Sequence, residues 1–340
     1  MSDKTKQPGA YGVTADDVAA AAGVSRWTVN RAFKKDASIS AKARQKVLAA
    51  AEELGYVPDL LAASLASDRS NLVALLVDDF TNPHKLVMIE RVTRILRQHG
   101  WGTLLVNMLG ERDASTALLN ASQRRVDAAI LIGIQFNDAA LATAFGARRV
   151  KKLIIFARSS QEPDTISICC DDVAAMSAIT DFVLAKGHHT PLFLAGPDTE
   201  SAHLRRKETF LAQWQEKRGL EPEAISVPAY DSAQAFEAIS AALSGRDRAD
   251  LPDIIVCEND ALAMGAIDAI RYRLGLRVPE DIAVTGVDDI PQAASAAYDL
   301  TTYRQPITQM AEALVQVLEG KGERPDLCGF QGHMVERGSA

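Results

Sequence analysis

Apolar positions along this chain follow two rhythms, and the change falls near residue 71. Before that point they recur at helical spacing in short blocks. In VTADDVAAAAGVSRWTVNRAF (13–33), Val18, Ala19 and Ala22 form one narrow apolar side. Gly23 supplies a turn, and Val29, Ala32 and Phe33 share one face of a second helix. Thr14 caps the first helix, with Asp17 three residues on, and Ser25 caps the second. Trp27, Asn30, Arg31 and Lys34 fall opposite the second stripe. Ser40 opens a third helix, AKARQKVLAAAEELG, with Val47, Leu48, Ala51 and Leu54 at helical spacing and Gly55 at its end. After Pro58 and Asp59, LLAASLA has room for about two turns, too few to hold alone in water. It reads as a linker that orders only when something binds it.

From Leu72 onward, apolar runs alternate with amphipathic stretches. The runs are LVALLV (72–77), TLLVNM (103–108), AAILIG (128–133), KLIIFA (152–157), TISICC, PLFLAG (191–196), ISVPAY (225–230), DIIVCE (253–258) and IAVTGV (282–287). Strands apolar throughout, separated by helices, predict parallel sheets covered on both faces. There are too many for one comfortable sheet. Two consecutive α/β subdomains are expected, with a ligand cleft at the carboxyl ends of their strands.

Composition changes this picture in one respect. A net charge of −7 argues against nucleic acid only if it is evenly spread, and it is not. Residues 20–46 carry seven Lys/Arg against one acid, Asp36, whereas from Asn71 there are 27 basic and 36 acidic residues. DNA attracts the first part and repels the second. A basic helix face above a buried stripe suits the major groove. No apolar run reaches membrane-spanning length, and MSDKTKQPGAYG lacks a secretory apolar segment, so a cytoplasmic protein is expected. Cys169, Cys170, Cys257 and Cys328 show no CxxC and read as reduced core thiols. His188–His189 reads as carbonyl capping after Gly187, and Asp171–Asp172 as a helix cap. With no metal-ligand set, phosphate loop or activated nucleophile, no metal, cofactor or catalytic residue is expected.

An ordered series of segments resembles the lac repressor (LacI/GalR) family of transcription regulators. It comprises the helix-turn-helix stretch above, ISAKARQKVLAAAEELGYVPD, LLAASLAS, TNPHKLVMIERV, AKGHHTPLFLAGP, ENDALAMGAI, VPEDIAVTGVDD and LTTYRQP. The resemblance implies an N-terminal all-α helix-turn-helix domain (1–57, with 1–11 a flexible tail) and a hinge helix and linker (58–70). It further implies an α/β periplasmic-binding-protein-like core (71–340) of two doubly wound parallel-sheet subdomains, about 71–169 with 302–326 and about 170–301 with 327–340.

The same resemblance assigns roles. Arg26, Trp27 and Arg31 would read base edges, Arg31 as a bidentate partner of guanine. Ser25, Thr28 and Asn30 would take phosphates or bridging waters, and Thr14 and Lys34 complete the DNA-facing set. Trp27 is unusual at its position and would pack on a thymine methyl or a sugar. In the hinge, Leu65 would wedge into the minor groove while Ala62 lets two hinge helices approach. Asp78, Asn259, Asp288 and Arg206 would orient an effector. Two positions depart from the family: His84 replaces an aromatic residue, and Ala157 replaces the Asp before Arg158. With Lys85, the bases His84, Arg158 and Arg206 point toward an anionic ligand. The expected partners are a pseudo-palindromic double-stranded operator in the nucleoid, a sugar, sugar acid or sugar phosphate, and a second copy of the chain. The chain shows no heptad segment before it ends at VERGSA, so a dimer is expected. The competing reading is a solute-binding protein or an α/β enzyme on the same core.

Overall fold

The computed structural model describes residues 12–34, 37–59, 69–108, 114–134, 150–198, 204–321 and 326–340. The chain divides into two units, 1–70 and 71–340. In the first, α1 (Ala15–Ala22), α2 (Arg26–Ala32) and α3 (Ala41–Leu54) each start at a hydroxyl cap, Thr14, Ser25 or Ser40. Asp17 accepts the Thr14 N–H at 2.9 Å, which closes a capping box. Gly23 ends α1 at φ 65°, a conformation that penalises any Cβ. Val18, Val29, Ala32, Val47 and Ala51 fill the core, and the Phe33 ring tilts against Tyr56 at 5.7 Å. Leu48 and Leu54 differ from expectation: they are 43% and 36% exposed, because the buried stripe of α3 runs through Val47, Ala50 and Ala51. Arg44 donates to the carbonyls of Ala32, Lys34 and Ala37, so one of the seven bases holds a loop together.

The second unit holds two six-stranded sheets. The first contains β1 (Leu72–Val77), β2 (Gly102–Asn107), β3 (Ala128–Ile132), β4 (Lys152–Phe156), β5 (Thr165–Cys170) and β11 (Asp326–Phe330), in the order β11-β5-β4-β3-β1-β2, all parallel. The second contains β6 (Pro191–Ala195), β7 (Glu223–Ser226), β8 (Ile254–Cys257), β9 (Ala283–Val287), β10 (Thr301–Arg304) and β12 (His333–Val335), in the order β12-β10-β9-β8-β6-β7. Only β12 runs antiparallel to its neighbour.

Strand alternation explains why these runs are apolar throughout. Val73, Leu75 and Val77 pack under α4 (Pro83–Gln98) and α10 (Ile307–Glu319), while Ala74 and Leu76 pack against α5 (Ala114–Gln123) on the other face. In the second sheet Leu192 and Leu194 face α8 (Ser232–Leu243) and α9 (Asp260–Asp268). Phe193 and Ala195 face α6 (Asp172–Ala185) and α7 (Arg206–Arg218). Each sheet is therefore covered on both sides.

The chain passes between the sheets after β5, after β10 and after β11. These crossings correct the expected subdomain limits. Residues 301–304 belong to the second sheet as β10, and β11 at 326–330 belongs to the first. The strand expected at 225–230 is β7 at 223–226, which frees Tyr230 from the sheet. The cysteines also depart from expectation. Cys169 and Cys328 sit in register on β5 and β11, with Cα atoms 4.4 Å apart, and are joined as a disulfide. Cys170 and Cys257 are buried free thiols.

Candidate functional site

The short α2 displays two faces. Val29 and Ala32 are buried, while Ser25, Arg26, Trp27, Asn30 and Lys34 are exposed, Trp27 at 65%. Arg31 lies one turn beyond Trp27, with its guanidinium carbon 4.4 Å from the ring centre, and its Nε donates to the Ser38 carbonyl at 3.1 Å. Arg26 pairs with Asp16 at 3.2 Å, but both are largely exposed and such a pair is worth about 0–1 kcal/mol. Thr14 and Thr28 are engaged in the caps of α1 and α2. Ala62 and Leu65 lie outside the described residues.

The second site is a cleft whose wall comes from both sheets. From the first come Asn82, His84, Lys85, Met88, Phe156 and Arg158. From the second come Leu204, Arg206, Tyr230, Asn259 and Asp288, with Gln305 on the crossing after β10. Asn82 caps α4 by accepting the His84 N–H, and Asn259 caps α9 by accepting the Leu262 N–H, so each amide NH2 is left for a ligand. Asp288 projects from a turn at φ 122°, and the next residue, Asp289, at φ 54°, is clamped by Arg304 and Arg337. Such backbone persists only where the surroundings over-determine it. Asp289 thus anchors the turn.

Charges at this cleft are matched from behind. Arg206 donates from Nε to Asp172 at 2.7 Å and from Nη1 to the Glu258 carbonyl at 3.0 Å. Burial opposes its charge, yet Asp172 and Asp288 hold the guanidinium above its ordinary value. Burial pushes Asp172 up, and Arg206 draws it back. Burial also raises Glu258, whose carboxylate accepts the Gly196 N–H, and Asp260, which Asp288 raises further. Lys85 is paired with Asp78. His84 lies 3.6 Å from Asp288, and Gln305 donates to Asp288 at 2.6 Å. Among the described residues lining the cleft, His84 Nδ1 and Gln305 Oε1 are buried without a hydrogen-bond partner.

Five of the six expected effector residues therefore line one cleft: His84, Arg158, Arg206, Asn259 and Asp288. Asp78 does not. Its carboxylate lies beneath the wall, taken up by Lys85 and by the Ile134 N–H at 2.7 Å, and a Cβ at Gly133 would collide with it. Sequence reasoning missed Asn82, Tyr230 and Gln305. Asn82 and Gln305 sit in two of the quoted segments, TNP and YRQP, whereas Tyr230 closes the run ISVPAY, which reads as a strand and not as a site.

Comparison with known proteins adds to this geometry. Residues 14–59 match the lacI family of bacterial regulatory proteins, and residues 180–326 match a periplasmic binding protein-like domain. The chain is 30% identical over 338 residues to the ribose operon repressor of Escherichia coli strain K12, covering 96% of this chain and 99% of that one. It is 28% identical to the transcriptional repressor PurR of Proteus mirabilis, covering 96% of each. Among solved structures, the lac repressor dimer bound to operator and an anti-inducer superimposes with a TM-score of 0.81 at 26% identity, over 97% of this chain and 99% of that one.

Proposed function

The chain belongs to the lacI family of bacterial regulatory proteins, and from that membership we propose how its two sites work together. It is a DNA-binding transcriptional regulator, a repressor, and not an enzyme. Two copies present α2 to the half-sites of a pseudo-palindromic operator, roughly 34 Å apart, with phosphates held by polar groups of the same unit. Ala62 and Leu65 serve the hinge at the minor groove between them. The partner copy meets the first sheet near its β2 edge, where Leu105 and the neighbouring Leu86 of α4 are half exposed. The protein acts in the cytoplasm, on the nucleoid.

A small sugar-like effector occupies the cleft and changes operator affinity. The observation that carries this reading is that His84 and Asp288, from different sheets, meet at 3.6 Å on one cleft wall, beside Arg206 and Asn259. A ligand there touches both halves at once, and only differential contact with two arrangements can shift their balance. The anionic preference weakens, because Lys85 and Arg206 already face Asp78 and Asp172. A neutral hydroxylated sugar fits this balance, with sugar acids and phosphates as the other members of the test.

Thermal unfolding of the full chain against a panel of sugars, sugar acids and sugar phosphates tests the cleft. A hit should raise the midpoint, and Asp288→Asn should weaken its binding by about 10- to 100-fold, the worth of a charged hydrogen bond. A hit that binds Asp288→Asn equally well would place the effector elsewhere.

A further inference from the structure

Cys169 and Cys328 face each other in register on β5 and β11, with Cα atoms 4.4 Å apart, inside the span that a disulfide bridges without backbone movement. Cys169 is buried, whereas Cys328 is half-buried. Among the described residues β11 pairs with β5 alone, so Cys328 lies on the edge of its sheet, beside the exposed Gly329. Entry to the pair is therefore from the Cys328 side. Burial pushes the Cys170 thiol up to about 12 and the Cys257 thiol well above its ordinary value, which keeps both out of exchange near neutrality.

The place of the pair in the fold gives its oxidation a consequence. β5 ends at Cys170 and β11 at Phe330, and beyond each the chain crosses to the other sheet. At these crossings the Asp171 N–H donates to the Phe330 carbonyl at 2.9 Å, and the Gly332 N–H donates to Tyr303 Oη at 2.8 Å. Tyr303 lies on β10, which leads into the remaining crossing. All three crossings are thus laced together. The β5–β11 register shifts between Cys328 and Phe330, a bulge directly beside the cysteine pair. A bulge leaves a residue unpaired and lets its strand bend, so with free thiols this ladder can adjust as the two sheets move. A disulfide pins the ladder just before the bulge and makes two crossings move as one.

We propose that Cys169 and Cys328 form a reversible redox site for a low-molecular-weight disulfide of the glutathione type, and that its oxidation stiffens the crossings between the sheets and alters operator affinity. This rests on the cytoplasmic, DNA-binding reading above, where reductants keep the resting pair as the dithiol. Exchange takes two steps. The Cys328 thiolate attacks the oxidant and expels one small thiolate, leaving a mixed disulfide. The Cys169 thiolate then attacks the Cys328 sulfur and expels the second. Both cysteine protons pass through solvent to the expelled thiolates. Two cysteine thiols and one small disulfide become one protein disulfide and two small thiols.

The test equilibrates the full-length protein with reduced and oxidised glutathione at a series of ratios, then traps free thiols by alkylation. Mass analysis should find a single two-electron transition, confined to Cys169 and Cys328. Amide exchange at Asp171 and Gly332 should be roughly tenfold faster in the dithiol form, because local opening becomes easier. Affinity for a duplex that the protein itself enriches from a random pool should differ between the two forms by about 5- to 150-fold. By linkage, a fivefold difference requires bound duplex to move the redox midpoint by about 20 mV, since tenfold corresponds to about 30 mV. Cys328→Ser, or Cys328→Ala, should remove every dependence on the glutathione ratio, with thermal unfolding close to that of the reduced protein. A pair still joined at the most reducing ratio, or still free at the most oxidising, would overturn the proposal. So would equal amide exchange or equal duplex affinity in the two forms, or a redox response that survives loss of Cys328. Redox-dependent amide exchange in a protein that enriches no duplex would instead strike at the DNA-binding reading itself.

Discussion

His84 and Asp288 approach to 3.6 Å from different sheets, His84 on the first turn of α4 and Asp288 on the turn after β9. The contact makes the cleft sensitive to protonation. Burial holds the imidazole below its ordinary value of 6.5, Asp288 pulls it up, and Arg206 and Lys85 push it down. The folded protein therefore binds fewer protons here than the unfolded chain between the lowered value and 6.5. Stability contributed by this group is fully present above 6.5 and is lost as pH falls through that window.

Melting temperature measured from about pH 7.5 down to about pH 5 should thus fall more steeply for the native protein than for His84→Asn. His188, also lowered by burial, adds a slope of the same sign to both proteins. The raised carboxyls Asp172, Glu258 and Asp260 add opposite slopes to both. The difference between the two curves isolates His84, and parallel curves would deny it this role.

Arg206 and Asp172 form a buried pair, and removing one partner leaves the other uncompensated. Arg206→Met should destabilise the core by about 3–5 kcal/mol in urea unfolding, and Arg206→Met with Asp172→Asn should regain more than half of that. Equal instability of the single and double variants would mean that packing, not charge, dominates at this position.

Cys169 and Cys328 join two strands at which the chain crosses between sheets. Thiol titration of the denatured protein without reductant should find two free thiols per chain, Cys170 and Cys257, and four after reduction. Reduction should lower the melting temperature of the core, with an upper limit of about 5 kcal/mol for so long a loop. Four thiols before reduction would leave the pair as packed neighbours only.

Much of the fold was legible because it follows local rules. The caps Thr14, Ser25, Ser40 and Asp171, and the strands continuous with both-sided burial, lie where hydroxyls, carboxylates and apolar runs placed them. Leu48 was misread because two phases of a helical stripe fit the same apolar residues, and only packing against α1 and α2 chooses Val47 and Ala50. The placement of Asp78 against Lys85, beneath the cleft wall, is not legible in sequence, because a strand-end carboxylate looks the same whether it faces a ligand or a lysine. Gln305 and Tyr230 gain their meaning only when the crossings bring separate segments to one wall. The disulfide depends on the register of β5 with β11, far apart in sequence, which no local pattern encodes.

The coupling of cleft to operator is tested most directly by measuring one quantity from both ends. Operator affinity is determined with and without saturating cleft ligand, and ligand affinity with and without operator duplex, all on the full-length protein at fixed salt. The expected result is a change of about 5- to 150-fold, with the same factor from either end. Two unchanged affinities would show that the cleft and the reading helix do not communicate.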